Sequence, residues 1–118
     1  MDSKDNFKLK WEDKDGFPVI HIQGDITASS EKKLVNSYEE ITTKINNSNI
    51  IIFNFEKVNY INSSGISSII KLLQMHKNIN GDFVFIGLSE HFRKVMDIVG
   101  LTDFVSIYDS FSAFKNKV

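Results

Sequence analysis

Two adjacent serines followed by a glycine, Ser63-Ser64-Gly65, are the residues of this chain whose types and spacing could do chemistry. They follow Ile50-Ile51-Ile52-Phe53-Asn54-Phe55, a hydrophobic run that reads as a buried strand. They precede Ile66, Ile69, Ile70 and Leu73, the i, i+3, i+4, i+7 spacing of one buried helix face. The serines therefore fall where a strand gives way to a helix. A helix start offers unpaired backbone N–H groups and the positive end of a dipole. An anion, including a phosphate carried on one of the serines, is tolerated there. Nucleophilic catalysis has a weaker case. A hydrolase elbow reads Gly-x-Ser-x-Gly and needs a histidine base supported by an acid. Here the run is Asn62-Ser63-Ser64-Gly65-Ile66, and the spacing places no histidine near it. The plainest role for both serines is capping the helix, which is compatible with carrying a phosphate.

The remaining polar residues give less. His21, His76 and His91 fall on different elements, and neither a two-histidine helical pair nor an acidic cluster accompanies them, so no metal or other cofactor is expected. A phosphate-binding loop of the Gly-x-x-x-x-Gly-Lys-Ser/Thr type is absent. Gly65 either lets another backbone or a phosphate approach the helix start, or eases a tight turn. Asp25 reads most simply as a solvated loop acid, Thr27 as a cap, Asn62 as a partner for a loop backbone group, and Ser67 and Ser68 as polar filler on the first helical turn. Glu31-Lys32-Lys33 reads as a solvated helix face.

The chain of 118 residues is long enough for one domain with a proper core, spanning 1–118 with the core at about 7–114. Fourteen Lys+Arg against fifteen Asp+Glu leave a formal charge of -1, which gives no electrostatic footprint for nucleic acid. No apolar run is long enough to span a membrane. The segment from Met1 to Asn6 is polar and lacks the apolar core of a signal peptide. With no cysteine there is neither a disulfide framework nor a thiolate metal site. These features fit a cytoplasmic protein, and nothing demands more than a monomer.

The elements that must position the serines follow from periodicity and punctuation. Phe7 to Trp11 alternates as a half-exposed strand, Asp13-Lys14-Asp15-Gly16 is turn chemistry, and Val19 to Gln23 completes a hairpin. Gly24-Asp25-Ile26-Thr27 then leaves the strand. A helix begins near Ser29 or Ser30 and carries Leu34, Tyr38, Ile41 and Ile45 on one stripe, with Asn46-Asn47-Ser48-Asn49 ending it. The strand Ile50 to Phe55 is apolar on both faces, as a central strand covered on both sides is. A second helix runs from about Ser64 to Asn78, with Gly81 suited to a left-handed position just past it. Phe83–Ile86 is another buried strand. Ser89 caps a third helix with Phe92, Val95, Met96 and Val99 on one face, stopped by Gly100. Phe104–Ile107 is a short last strand. Asp109 or Ser110 caps a final helix carrying Phe111 and Phe114. The order predicts an α/β fold, a mixed and largely parallel sheet of about five strands with about four helices.

The order of elements, the strand followed by Asn62-Ser63-Ser64-Gly65-Ile66, and the early Gly24-Asp25-Ile26-Thr27 resemble the STAS domain, the fold of bacterial anti-sigma factor antagonists and of sulphate-transporter tails. Phe92 to Leu101, followed by Phe104, resembles that family's third helix and last strand, and the likeness covers about Phe7 to Phe114. In the soluble antagonists, the first serine of an Asp-Ser-Ser-Gly segment is phosphorylated by an anti-sigma factor serine kinase. The unphosphorylated form binds that kinase and frees the sigma factor, and a serine phosphatase restores it. The resemblance therefore implies a non-enzymatic partner switch in transcription control, with Ser63 as the phosphorylated residue. It implies a partner surface at Asp25, Ile26, Thr27, Asn62, Ser63, Ser64, Gly65 and Ser67. The chain departs from the pattern twice. Asn62 replaces the acid before the serine, and Gly24-Asp25-Ile26-Thr27 stands where Gly-Glu-Leu-Asp is usual, so one of two loop acids is missing. The Asn62 change keeps a second reading open, an unphosphorylated scaffold or regulatory subunit of a signalling or transport complex.

Overall fold

A computed structural model describes residues 6–45 and 49–118. The chain opens with an antiparallel hairpin, β1 (Lys8–Lys14) and β2 (Phe17–Ile26). Asp15 at φ 53 and Gly16 at φ 88 make its turn, and Asp13 Oδ1 accepts the Gly16 N–H at 2.9 Å. A 3-10 turn (Ala28–Ser30) leads into α1 (Glu31–Lys44). Then come β3 (Ile50–Ile61), α2 (Ser63–Lys77), β4 (Asp82–Ile86), α3 (Glu90–Ile98), a 3-10 turn (Leu101–Asp103), β5 (Val105–Tyr108) and α4 (Phe111–Lys115). The five strands lie in sequence order in one sheet, with β2 to β5 parallel. The mixed, mostly parallel α/β architecture expected from the sequence is thus the one observed.

Strand alternation divides the core in two. Ile20, Ile22, Ile51, Phe53, Phe55, Phe83 and Phe85 face α1, α2 and α3, which contribute Leu34, Tyr38, Ile41, Ile69, Leu72, Leu73, Phe92 and Met96. Val19, Ile52, Val84 and Ile86 point to the other face, where Phe114 of α4 covers them. β3 is therefore apolar on both faces because both are covered, as its unbroken Ile-Ile-Ile-Phe run implied.

Several boundaries differ from the sequence reading. β2 continues through Gly24 to Ile26 instead of ending at Gln23. Gly24 takes φ 93, and any side chain there would overlap the Asn6 carbonyl oxygen, so the close approach of the N-terminal segment fixes glycine at this position. α2 starts at Ser63 because the side chain of Asn62 caps it. The left-handed residue after α2 is Asn80, at φ 60, not Gly81. Gly81 is required for a different reason: a Cβ there would overlap the His76 ring. The expected end of the first helix at Asn46, Asn47 and Ser48, and the polar start from Met1 to Asp5, lie outside the described residues.

Candidate functional site

The parallel strands β2 and β3 end side by side, with Asp25 opposite Tyr60 and Ile26 opposite Ile61. Two loops leave this edge together, Thr27–Ser30 into α1 and Asn62 into α2. The backbone joins them directly: Asn62 N–H donates to the Ile26 carbonyl at 3.2 Å. Gly65 then passes so close to that carbonyl that a Cβ would overlap it. The backbone that approaches Gly65 is therefore the chain's own.

Asn62 is extended, at φ -94 and ψ 178, and its Oδ1 accepts the Gly65 N–H at 2.8 Å. Its carbonyl accepts the Ile66 N–H at 3.0 Å. Capping thus falls to Asn62, which frees Ser63 and Ser64 from that role and leaves them as the first two residues of the helix, both exposed. Ser67, one turn on, is exposed as well. Three hydroxyls accordingly surround a helix start whose first two N–H groups have no backbone acceptor among the described residues.

The facing loop is held from inside. Buried Ser30 accepts the Thr27 N–H at 3.0 Å and donates to the Asp25 carbonyl at 3.3 Å. The Thr27 and Ser29 hydroxyls lie 3.0 Å apart, and Asn6 Oδ1 accepts the Asp25 N–H at 3.1 Å. Asp25 and Thr27 are half-exposed, whereas the Ile26 side chain is in the core. The residues singled out in the sequence therefore gather at one edge. Asp25, Thr27, Asn62, Ser63, Ser64 and Ser67 form its surface, and Ile26 and Gly65 are buried beneath.

A second link between the two helices was not visible in the sequence. Ser68 is 1% exposed and donates to Glu31 Oε1 at 3.0 Å, and Lys71 Nζ donates to Glu31 Oε2 at 2.9 Å. The Lys71 and Ser68 hydrogen bonds, with the Lys71 charge, hold the Glu31 carboxyl below its usual range. Ser68 is thus a clamp between α1 and α2 and not polar filler, and Glu31 is not simply solvated. A buried serine four residues after Ser64 could have signalled this, but only with α1 already placed.

The histidines are engaged elsewhere. His21 lies 2.7 Å from Glu12 Oε2 and 3.0 Å from Asn54 Nδ2. His76 is fully buried, with Nδ1 3.0 Å from the Tyr38 hydroxyl and Nε2 2.8 Å from the Asn49 carbonyl. Burial lowers its pKa, partly opposed by the bond to Asn49 and the nearby Asp82. The His91 ring packs against Phe92. None of the three rings makes a hydrogen bond to Ser63 or Ser64. Among the described residues no group of three or more His, Cys, Asp or Glu could hold a metal, and no helix is long and apolar enough to cross a membrane.

Known proteins share this architecture. An anti-sigma factor antagonist from Mycobacterium paratuberculosis superposes with a TM-score of 0.80 at 16% identity, over 100% of this chain and 98% of that one. The Bacillus cell-fate determinant SpoIIAA, in its phosphorylated form, gives 0.68 at 19% identity, over 95% and 99%. A serine-to-glutamate variant of RsbS from Moorella thermoacetica gives 0.70 at 12% identity, over 93% of each chain. At these identities the likeness is one of fold. The model of the STAS domain family matches residues 8–113, nearly the whole chain. The chain belongs to the STAS domain family.

Proposed function

We propose that this protein is an anti-sigma factor antagonist whose binding is switched by phosphorylation at Ser63. The unphosphorylated edge binds an anti-sigma factor serine kinase and releases the sigma factor. Phosphate on Ser63 blocks that contact, and a serine phosphatase removes it. The protein works in the cytoplasm and catalyses nothing itself. The observation that carries the reading is the exposed, cap-free Ser63 at the first position of α2, held against β2 by Asn62 and Gly65. The family supports it, as do relatives of this fold that include antagonists and a phosphorylated form.

The physics fits a local block. A phosphoserine adds about -1.5 to -2 charges at neutral pH to a chain whose formal charge is -1. At the helix start that charge is favoured by about 0.3–1 kcal/mol, so little refolding is required. The penalty falls on the partner, through bulk, desolvation and repulsion from acidic groups. Incubation with ATP and the serine kinases of its own genome, followed by site mapping, tests the reading. One added phosphate, absent in Ser63→Ala, is expected. Stable kinase binding without phosphate would favour the scaffold reading that Asn62 supports, because an uncharged amide stands where the family's antagonists carry an acid.

A further inference from the structure

The connections that follow the parallel strands do not all cross to the same face of the sheet. β2, β3 and β4 lead into α1, α2 and α3, which cover one face. β5 leads into α4, whose Phe114 covers the other. β4 and β5 are parallel neighbours that end level, with Ile86 opposite Tyr108. Beyond them Gly87 heads toward α3 and Asp109 toward α4, on opposite sides. Parallel neighbours whose connections part in this way leave a crevice at their carboxyl ends, the usual place for a ligand in an open α/β sheet.

A cavity of about 300 Å³ lies in that crevice, at the lower end of the size of small-molecule sites. Gly87 and Asp109 line it from the two departing loops, and Val19, Ile86 and Phe111 give it apolar walls. Its polar floor is already fixed. Asn54 Oδ1 accepts the Glu56 N–H at 3.0 Å, which turns the Asn54 amide N–H groups toward His21 Nδ1, also at 3.0 Å. His21 therefore donates from Nε2, to Glu12 Oε2 at 2.7 Å. This chain of bonds crosses β1, β2 and β3, so little ordering remains to be done when a ligand arrives. Gly87, at φ 73, leans on the same place, and a Cβ there would lie 3.0 Å from both Asn54 Oδ1 and the Glu56 nitrogen.

The charges choose the ligand. Glu56 and Asp109 bring two exposed carboxylates to the cavity, neither of them in a hydrogen bond or ion pair among the described residues. Against them the lining sets one lysine, Lys14, whose ammonium rests 4.6 Å from the centroid of the Phe111 ring. That ring already serves as a platform for a cation. The lining thus offers an excess of negative charge beside an aromatic face and apolar walls.

We propose that this crevice binds a small organic cation, an amine with a short apolar stem. Its ammonium pairs with Glu56 and Asp109, and its stem packs against Val19, Ile86 and Phe111. The site is built on the sheet face opposite α2 and does not depend on the reading of Ser63.

The test is an amide NMR titration of the whole chain with butylammonium chloride at constant ionic strength. Sodium butyrate, with the opposite charge on a similar stem, and sodium chloride are the controls. Butylammonium is expected to give saturating shifts at the Glu56, Gly87, Asp109 and Ser112 amides, and the controls none. Glu56→Gln together with Asp109→Asn is expected to weaken binding about tenfold while the rest of the spectrum stays as it was. Lys14→Gln removes the opposing charge and is expected to strengthen binding about threefold. Absence of saturation with butylammonium would overturn the proposal, as would shifts that sodium chloride reproduces, which mark an adventitious ion only. Saturation by butyrate at the same amides would overturn the assignment to a cation. Unchanged affinity in the double variant would show that the two carboxylates do not hold the ligand, and would overturn it as well.

Discussion

Gly65→Ala separates this structure from what sequence propensity expects. Inside an ordinary helix, replacing glycine by alanine stabilises by about 1 kcal/mol. Here the new Cβ overlaps the Ile26 carbonyl, a backbone atom that also accepts the Asn62 N–H and cannot turn aside like a side chain. The start of α2 must lift, at a cost of about 1–3 kcal/mol by the scale of overpacked sites. The Asn62 cap lies in the same turn and strains with it. The expected net loss is about 1–2 kcal/mol, because the overlap and the strained cap together outweigh the gain in propensity. Unfolding entropy for a chain of this length is about 0.25 kcal/mol/K, so Tm should fall by roughly 4–8 °C. Differential scanning calorimetry, with urea midpoints as a second probe, reads the change. A Gly65→Ala variant as stable as the parent, or more so, would refute the close packing of α2 on β2.

Two further changes probe the same framework. Asn62→Ala removes the cap of α2 and should cost about 1 kcal/mol in urea unfolding, whereas Asn62→Asp keeps an acceptor at the cap and should match or exceed the parent; equal losses in both would refute the capping role. Burial lowers the pKa of His76, so below its unfolded value of about 6.5 the unfolded chain binds a proton that the folded chain refuses. That contribution is complete above about pH 6.5 and declines as pH falls from there toward the folded value. An NMR titration should find the His76 ring neutral at about pH 6.5, and half-protonation at or above that pH would contradict it.

Much of this was legible in the sequence, for reasons that differ by residue. The helical spacing of Leu34, Tyr38 and Ile41, and the unbroken Ile50–Phe53 run, marked a helix and a central strand because burial dictates both patterns. Ser89 was readable as a cap and Ser110 as one of two candidates with Asp109, and the structure shows both serine side chains accepting, from the Phe92 and Ala113 N–H groups. Ser63 and Ser64 were readable as a helix start, but the sequence reading gave them the cap that belongs to Asn62, because serine and asparagine are nearly equal in that role. What stayed hidden depends on contacts distant in sequence. Gly65 needs glycine because of Ile26, Gly81 because of His76, and Ser68 is buried because Glu31 reaches it across 37 residues.

The most direct measurement of the central account is the affinity of a binding serine kinase for the unphosphorylated chain and for the same chain carrying phosphoserine at position 63, side by side at one ionic strength. A block worth about 3 kcal/mol predicts that the phosphate weakens binding roughly a hundredfold, with Ser63→Ala binding like the unphosphorylated parent. Equal affinities for the two forms would contradict the switch.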